Sequence, residues 1–275
     1  MIPIDFEYYR PSTIIKAVQL YQDLTGNQKQ TIFYGGGTEI ISRARMNEIS
    51  PNAVIDLKNI PECNVLKKDT ETITIGATVS LTQIADSAVF PLLTNVARSI
   101  AFRTARNKIT IGGNLTGDII YREALLPFLL TESEAVIAGR EGTRQVVISG
   151  NGIKLNEGEF IVQLVTNNKF AQYRHINHKT TKQSKVNYPI VSIASILVDD
   201  QIRVAFSGVC AYPFRLNQIE EALNDVTNSP GKRIQAAIDL LPAPILHDAQ
   251  ASSEYREFVL KQALQQLLDN FEGVS

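Results

Sequence analysis

The feature that most restricts the fold of this chain is a run of three glycines, Gly35–Gly37, between an apolar segment and a helix pattern. Thr31–Tyr34 has the length of a short strand, and Thr38–Arg45 has the pattern of a helix. A strand, a glycine turn and a helix in this order predict a small α/β unit. Because glycine has no Cβ, the N–H groups of such a turn can converge on an anion, and the helix that follows adds its positive end.

A second glycine turn lies in Lys108–Leu115, which reads KITIGGNL. The alternation of isoleucine and threonine predicts that Asn107–Asn114 is a strand that runs into the turn. Two glycine turns could hold the two phosphates of a dinucleotide. Spacing alone is a weak argument for this, since most glycine turns in proteins bind nothing.

The familiar nucleotide-binding and catalytic motifs are absent from the sequence. There is no GxxxxGK[ST], GxSxG, HExxH or paired CxxC, and Ile40 stands where a GxGxxG motif needs its last glycine. His175, His178 and His247 do not form a cluster with metal-ligand spacing. We therefore expect no catalytic side chain and no metal site in this chain.

The remaining pattern divides the chain into an N-terminal unit, a second unit and a C-terminal third. Further strands are predicted at Ala53–Leu57, Thr72–Ala77, Glu134–Ala138, Arg144–Ile148 and Phe160–Thr166, and helices at 14–26, 81–89, from Pro91 and at 124–130. In the last third, Tyr188–Val198 and Ile202–Cys210 predict an antiparallel hairpin that turns at Asp199-Asp200. Helices are predicted at Leu216–Leu223, Lys232–Leu241 and Ser252–Leu268. Strands followed by a helix cluster indicate an α+β arrangement, with the polar segment His178–Asn187 as the seam.

Composition excludes several classes of protein. The 275 residues carry 27 basic and 28 acidic side chains, a balance that argues against a dedicated nucleic-acid binder. The sequence shows no secretory signal and no apolar stretch of about 18 residues that would span a membrane. Cys63 and Cys210 are the two cysteines, and a chain of this size does not need a disulfide. These features predict a reduced, cytoplasmic protein.

Several separated motifs, in order, carry a family resemblance. They are IFYGGGTEII, VIDLKNIPE, ITIGATVSLTQIA, RNKITIGGNL, PFLLTESEAVIAG, FIVQLV and, near the C-terminus, HDAQASSEYREFVLKQAL. Together they resemble the FAD-binding subunits of molybdenum hydroxylases, the family of xanthine dehydrogenases, aldehyde oxidases and aerobic carbon monoxide dehydrogenases. The resemblance covers nearly the whole chain and is far more specific than one glycine turn.

The resemblance implies a fold and a domain division. The expected class is α+β, with a two-subdomain α/β FAD-binding domain of the vanillyl-alcohol-oxidase-like type at residues 1–177. Its subdomains would cover about 1–57 and 58–177. A smaller C-terminal domain of antiparallel strands and helices would occupy 178–275.

The resemblance also implies which residues bind FAD. The first glycine turn would hold the pyrophosphate, and the second would approach the pyrophosphate and the flavin. An acidic residue thirteen positions after Thr110 would bind the sugar, and an aliphatic and a basic residue would supply later contacts. The residues implied are Phe33, Tyr34, Gly35, Gly36, Gly37, Thr38, Glu39, Ile40, Thr110, Ile111, Gly112, Gly113, Asn114, Glu123, Ile161 and Arg174.

The sequence departs from the family between the second glycine turn and this acidic residue. Family members usually have an Ala-Ser-Pro stretch there, whereas this chain reads LTGDIIYRE over Leu115–Glu123. The spacing is kept but the chemistry is changed. Either Asp118 or Glu123 could therefore take the sugar contact, and FAD binding could be retained but weakened.

The function implied is that of an FAD-carrying electron-transfer subunit, most similar to that of xanthine dehydrogenase. Electrons would arrive from [2Fe–2S] clusters on a small partner subunit, after oxidation of substrate on a large molybdopterin-binding subunit, and would leave for NAD or another acceptor. Cys63 and Cys210 cannot ligate a [2Fe–2S] cluster by themselves, since such a cluster needs four ligands. Two alternatives stay open: a degenerate structural subunit without FAD, and a standalone FAD-dependent reductase.

Overall fold

The N-terminal unit predicted around the first glycine turn is a parallel sheet flanked by helices. The computed structural model describes residues 5–150, 152–184 and 186–273, so residues 1–4, 151, 185, 274 and 275 of the predicted domains lie outside the described part. The sheet has the order β1-β3-β2, with Glu7 and Thr31 both paired to Ala53. The elements are β1 (Glu7–Tyr9), α1 (Ile14–Gly26), β2 (Thr31–Tyr34), α2 (Thr38–Arg45) and β3 (Ala53–Asp56).

The second unit is an antiparallel sheet of order β4-β5-β8-β6-β7, with five helices inserted between β5 and β6. Its strands are β4 (Leu66–Lys68), β5 (Thr72–Gly76), β6 (Glu134–Gly139), β7 (Gly142–Val147) and β8 (Phe160–Asn167). Its helices are α3 (Leu81–Asp86), α4 (Pro91–Ser99), α5 (Arg103–Arg106), α6 (Ile111–Thr116) and α7 (Leu126–Leu130). Single 3₁₀ turns cover Leu57–Asn59, Pro61–Asn64, Glu123–Leu125 and Asn168–Ala171.

The predicted strand over Asn107–Asn114 is wrong. Thr110 makes an isolated bridge to Ser80, and the chain then enters α6 at Ile111. The reason is local, because the Thr110 hydroxyl accepts a hydrogen bond from the N–H of Gly113 and caps the helix. The second glycine turn is therefore the first turn of a helix.

The C-terminal unit is an antiparallel sheet of order β12-β11-β10-β9 with three helices. Asp199 and Asp200 have φ of 50° and 59°, which is the geometry of a two-residue hairpin turn and confirms the predicted hairpin. β11 ends before the predicted Cys210, at Ser207, because Gly208 has a φ of 78°. The elements are β9 (His175–Thr181), β10 (Pro189–Val198), β11 (Gln201–Ser207), β12 (Phe214–Arg215), α8 (Asn217–Asn224), α9 (Pro230–Asp239) and α10 (Ser253–Glu272).

The C-terminal sheet is covered on both faces. Ala194 and Ile196 of β10 share a core with α4 and α7 of the second unit, whereas Ile193 faces a core formed with α8, α9 and α10. Burial on both faces explains why β10 reads as a continuous apolar run rather than an alternation. The predicted division at 177/178 stays a prediction, and β9 crosses that position. Among the helices described, none is long and apolar enough to span a bilayer.

Candidate functional site

A cleft of about 1210 Å³ lies where the N-terminal, second and C-terminal units meet. Its volume exceeds the range of roughly 300–1,000 Å³ that small-molecule pockets commonly have, so it can accommodate a dinucleotide. The structure brings most of the predicted binding residues together on its walls. They are Phe33, Gly35, Gly36, Gly37, Thr38, Glu39, Ile40, Thr110, Gly112, Gly113, Asn114, Asp118, Glu123 and Ile161.

The first glycine turn offers unpaired donors to the cleft. Gly37 has a φ of 71° and is the N-terminal cap residue of α2, with no side-chain oxygen to cap the helix. Within the described ranges, the N–H groups of Gly36, Gly37 and Thr38 have no hydrogen-bond acceptor. Successive free N–H groups at a helix N-terminus form a site for an anion. The turn therefore has the geometry that its sequence predicts.

A polar cluster supports this turn from the side away from the cleft. The Lys58 ammonium donates to the carbonyl oxygen of Gly35 at 2.8 Å and to Oδ2 of the buried Asp56 at 2.8 Å. Tyr8 donates its hydroxyl proton to the same carboxylate. Because C=O and N–H point in opposite directions across a trans peptide, the carbonyl of Gly35 facing Lys58 turns the N–H of Gly36 towards the cleft.

Tyr34 belongs to this supporting cluster and does not line the cleft. Its ring lies 4.5 Å from the Lys58 ammonium and packs beneath Gly37, where a Cβ would lie 2.2 Å from the ring atoms. Ile111 also points away from the cleft and is fully buried in the core of the second unit. These two side chains therefore shape the glycine turns from behind.

The two glycine turns pack directly on each other, a contact that the sequence analysis missed. A Cβ on Gly36 would lie 1.7 Å from the carbonyl oxygen of Lys108, and one on Gly35 would lie 2.7 Å from the Thr110 hydroxyl. Gly112 is similarly confined, at 2.8 Å from the Cβ of Ala77. Glycine is needed at Gly35 and Gly36 for contact between the turns, and at Gly112 for contact with Ala77, before any ligand is considered. Gly113 is less confined, with only the Thr110 hydroxyl, at 3.1 Å, within reach of a Cβ.

The two candidate carboxylates occupy different environments. Glu123 is only 4% exposed, and its Oε2 accepts a hydrogen bond from Lys179 at 2.9 Å. Burial raises the pKa of the Glu123 carboxyl, although Lys179 opposes this. Asp118 is exposed on the rim and pairs with Arg43, while its N–H donates to Oε1 of Glu39 at 3.0 Å. Asp118 is therefore the more accessible carboxylate, and Glu123 could reach a sugar only through Oε1, which has no partner among the described residues.

Arg174 is not brought to the cleft. Its guanidinium donates to the carbonyl oxygen of Asn270 at 2.8 Å and lies 5.7 Å from the Phe271 ring, both at the end of α10. The sequence argument placed Arg174 by alignment across a variable loop, and it could not see this contact across the fold. Ile161, placed by the same alignment, does line the cleft from β8.

Two aromatic side chains line the cleft together, one from the second unit and one from the segment before β10. Tyr121 and Tyr188 stack with ring centroids 4.9 Å apart and an interplanar angle of 16°. Tyr121 is buried and Tyr188 is about half exposed. Next to them, the N–H of Ala101 donates to the carbonyl oxygen of Val186 at 3.2 Å, which joins the second unit to the segment before β10. Aromatic faces at this position could pack against a planar ring system.

Comparison with known proteins identifies the family of this chain. The family described as "FAD binding domain in molybdopterin dehydrogenase" matches residues 4–164, which is more than half of the chain. The chain belongs to this family. Its cofactor is accordingly FAD, and it is an FAD-dependent oxidoreductase subunit.

Curated relatives align with this chain over most of its length. It is 25% identical to the nicotinate dehydrogenase FAD-subunit of Eubacterium barkeri over 98% of both chains. It is 27% identical to the carbon monoxide dehydrogenase medium chain of Hydrogenophaga pseudoflava over 78% of both chains.

Solved structures show the same fold. A chain of the Hydrogenophaga pseudoflava carbon monoxide dehydrogenase superposes with a TM-score of 0.86 at 24% identity, covering 97% of this chain and 96% of that one. A chain of quinoline 2-oxidoreductase from Pseudomonas putida 86 also gives 0.86, at 18% identity and 99% coverage of both. The α+β fold expected from the sequence, with an FAD-binding domain and a C-terminal antiparallel sheet unit, is confirmed.

The residues present fit FAD. The free N–H groups of the first glycine turn match a pyrophosphate, and the cleft is large enough for the rest of the molecule. Cys63 and Cys210 are free and buried, and the residues described include no group of three or more His, Cys, Asp or Glu side chains placed to hold a metal ion.

The sequence analysis missed two basic residues near the cleft. Lys58 could have been suspected from its position two residues after Asp56 in VIDLKNIPE. Arg122 lies in the segment where the chain departs from its family, and it is among the residues that line the cleft.

Proposed function

We propose that this chain is the FAD-carrying, electron-transfer subunit of a heteromeric molybdenum hydroxylase. It receives electrons from [2Fe–2S] clusters on a small subunit, which are reduced when a large molybdopterin-binding subunit oxidises the substrate. The observation that carries the proposal is the set of free N–H groups at Gly36, Gly37 and Thr38, which face a dinucleotide-sized cleft. The relatives named a FAD-subunit and a medium chain support this role.

The chain's own residues bind and orient the cofactor rather than perform acid–base chemistry. Bound FAD would supply the hydride and single-electron transfers, since redox chemistry of this kind belongs to the flavin. The glycine turns hold the pyrophosphate, Lys58 and Asp56 fix the first turn, and the stacked rings of Tyr121 and Tyr188 line the cleft beside the cofactor. Asp118 is the favoured contact for a sugar hydroxyl because its carboxylate is exposed.

Xanthine as the substrate of the complex and NAD as the electron acceptor are finer proposals that follow from the sequence resemblance. The relatives named above are linked to nicotinate and to carbon monoxide, so members of the family serve different substrates. The substrate is bound by another subunit in this proposal, and this chain does not select it. A cytoplasmic location is likewise proposed, and the free thiols of Cys63 and Cys210 are consistent with it.

A structural subunit without FAD is the second candidate. The observation in its favour is that Glu123, in the position of the family's sugar-binding acid, is already paired with Lys179. Titration of the purified apo protein with FAD separates the two candidates. Saturable binding of one FAD per chain supports the flavoprotein, and no binding supports the structural subunit.

Reconstitution tests the role in electron transfer. With its molybdopterin and iron–sulfur partners, the FAD-loaded chain should show flavin reduction that depends on the substrate. The FAD-loaded chain alone should show no such reduction. Robust substrate oxidation by the single chain would instead identify a standalone flavoenzyme.

A further inference from the structure

Among the described residues that line the cleft, Arg43 is a cation with ion pairs and Arg122 is a cation without one. Arg43 pairs with Asp118, with Glu48 at 3.4 Å and with Glu39 at 3.8 Å. Arg122 has neither an ion pair nor a side-chain hydrogen bond within the described part of the chain, and its Nε is buried without an acceptor. Burial lowers the pKa of Arg122, and the charge of the Asp118 carboxylate opposes this shift.

The backbone at Arg122 is held in an unfavourable conformation. Its φ of 31° and ψ of 49° lie in the left-handed region, which side chains other than glycine seldom adopt. Such strain persists where the surrounding structure imposes it, and it is concentrated at ligand sites. Among the described residues, no hydrogen bond or ion pair of the guanidinium accounts for this conformation.

The neighbours of Arg122 tie it to the second glycine turn. The N–H of Ala124 donates to Oδ1 of Asn114 in α6 at 3.2 Å, and the N–H of Leu125 donates to the carbonyl oxygen of Arg122 at 2.9 Å. On its other side, the carbonyl oxygen of Tyr121 accepts a hydrogen bond from the Ser207 hydroxyl. The arginine therefore projects from a fixed backbone next to α6, whose first turn contains Gly112 and Gly113.

We propose that Arg122 binds the pyrophosphate of FAD, opposite the free N–H groups of the first glycine turn. The formal negative charges of oxidised FAD at neutral pH are on its pyrophosphate, and a guanidinium can form two parallel hydrogen bonds to phosphate oxygens. The neighbouring acids are already engaged, Glu39 and Asp118 by Arg43 and Glu123 by Lys179. The altered Leu115–Glu123 segment thus supplies a cationic contact to the cofactor. This inference rests on the proposed FAD site.

FAD titrations of the full chain test the role of Arg122. Arg122→Gln should weaken FAD binding by about 10- to 100-fold at low ionic strength, the effect of losing a hydrogen bond to a charged group. The difference should shrink at high salt, because it is an attraction between charges. Arg122→Lys should recover part of the loss, and ADP, which also carries a pyrophosphate group, should likewise weaken as a competitor. Arg140→Gln, an exposed arginine in the β6–β7 turn, is the matched control and should bind FAD normally.

The melting temperature of the apo protein supplies an independent test, because the substitution that weakens FAD binding should not destabilise the apo protein. Because Arg122 is a partly buried cation without an ion pair among the described residues, Arg122→Gln should leave the melting temperature of the apo protein unchanged or raise it. Unchanged FAD affinity in Arg122→Gln, or a loss that is equal at low and high salt and not recovered by lysine, would overturn the proposal. If the wild-type chain binds no FAD, the proposed function fails. Stabilisation of the apo protein by inorganic pyrophosphate, present in the wild type and lost in Arg122→Gln, then tests Arg122 alone.

Discussion

Replacing Lys179 with methionine tests the buried ion pair that joins the second unit to the C-terminal sheet. The side chains of Lys179 and Glu123 are 4% and 5% exposed, and the ammonium also donates to the carbonyl oxygen of Ser99 at 2.9 Å. Methionine keeps the length and the apolar stem of lysine but leaves the carboxylate buried without its cation. Removal of one partner from a buried pair costs about 3–5 kcal/mol. For a chain of this size the melting temperature should fall by roughly 6–10 °C.

The pH dependence of this loss follows from the carboxyl group. Burial raises the pKa of Glu123 in the folded state, so the folded chain holds its proton at pH values where the unfolded chain, with a pKa of about 4.3, has lost it. Stability contributed by this group is therefore greatest at low pH and is lost as pH rises through the folded-state pKa. Lys179→Met raises that pKa further, so its destabilisation should be smaller at about pH 5 than at about pH 7.

Urea denaturation of the apo protein at the two pH values measures this effect. The double variant Glu123→Gln/Lys179→Met removes both charges and should recover most of the lost free energy of unfolding. Lys68→Met on β4, an exposed lysine without an ion pair in the part of the chain that the structure describes, is the control and should unfold like the wild type. A loss below about 1 kcal/mol in Lys179→Met, or a double variant as unstable as the single one, would refute the argument.

Three further outcomes are expected. Gly36→Val should lower both the melting temperature of the apo protein and its FAD affinity, since its side chain meets Lys108, whereas Gly113→Ala should mainly affect FAD affinity; equal melting temperatures for the two variants would contradict this. Lys58→Met should weaken FAD about tenfold through loss of the charged contact to Gly35, as measured by fluorescence titration against the Lys68→Met control. The isolated FAD-loaded chain should oxidise neither purines nor aldehydes in a dye-reduction assay, and substrate oxidation should require the partner subunits.

Features that depend on neighbouring residues could be predicted from the sequence. The first glycine turn, helix α2 after it and the hairpin at Asp199-Asp200 all follow from local turn and helix preferences, and each lies where the pattern indicates. The strand predicted at Asn107–Asn114 failed for a local reason too, because the capping hydroxyl of Thr110 outweighed the β preference of the flanking isoleucines. β1 has only three residues and forms because it pairs with β3.

Most of what the sequence could not predict depends on contacts between distant segments. The pairing of Glu123 with Lys179 joins residues 56 positions apart, and Arg174 meets Asn270 across 96 positions. The close packing of Gly36 on Lys108 likewise depends on how two units meet. No local preference encodes these contacts, so the sequence could suggest a sugar-binding acid at Glu123 but could not show that a lysine already occupies it.

The cleft lies where three units meet, so a cofactor bound in it would contact all three. The measured stability of this protein would then depend on the cofactor concentration. A ligand that binds only the folded chain adds a free energy of unfolding that grows with its concentration, about 2.7 kcal/mol at one hundred times the dissociation constant. FAD would contact elements from separate units. The added free energy would therefore stabilise the contacts between the units as well as the folded state of each unit. A substitution at a residue that does not itself line the cleft, such as Gly208, would therefore be masked in flavin-saturated protein and become apparent once the flavin is removed.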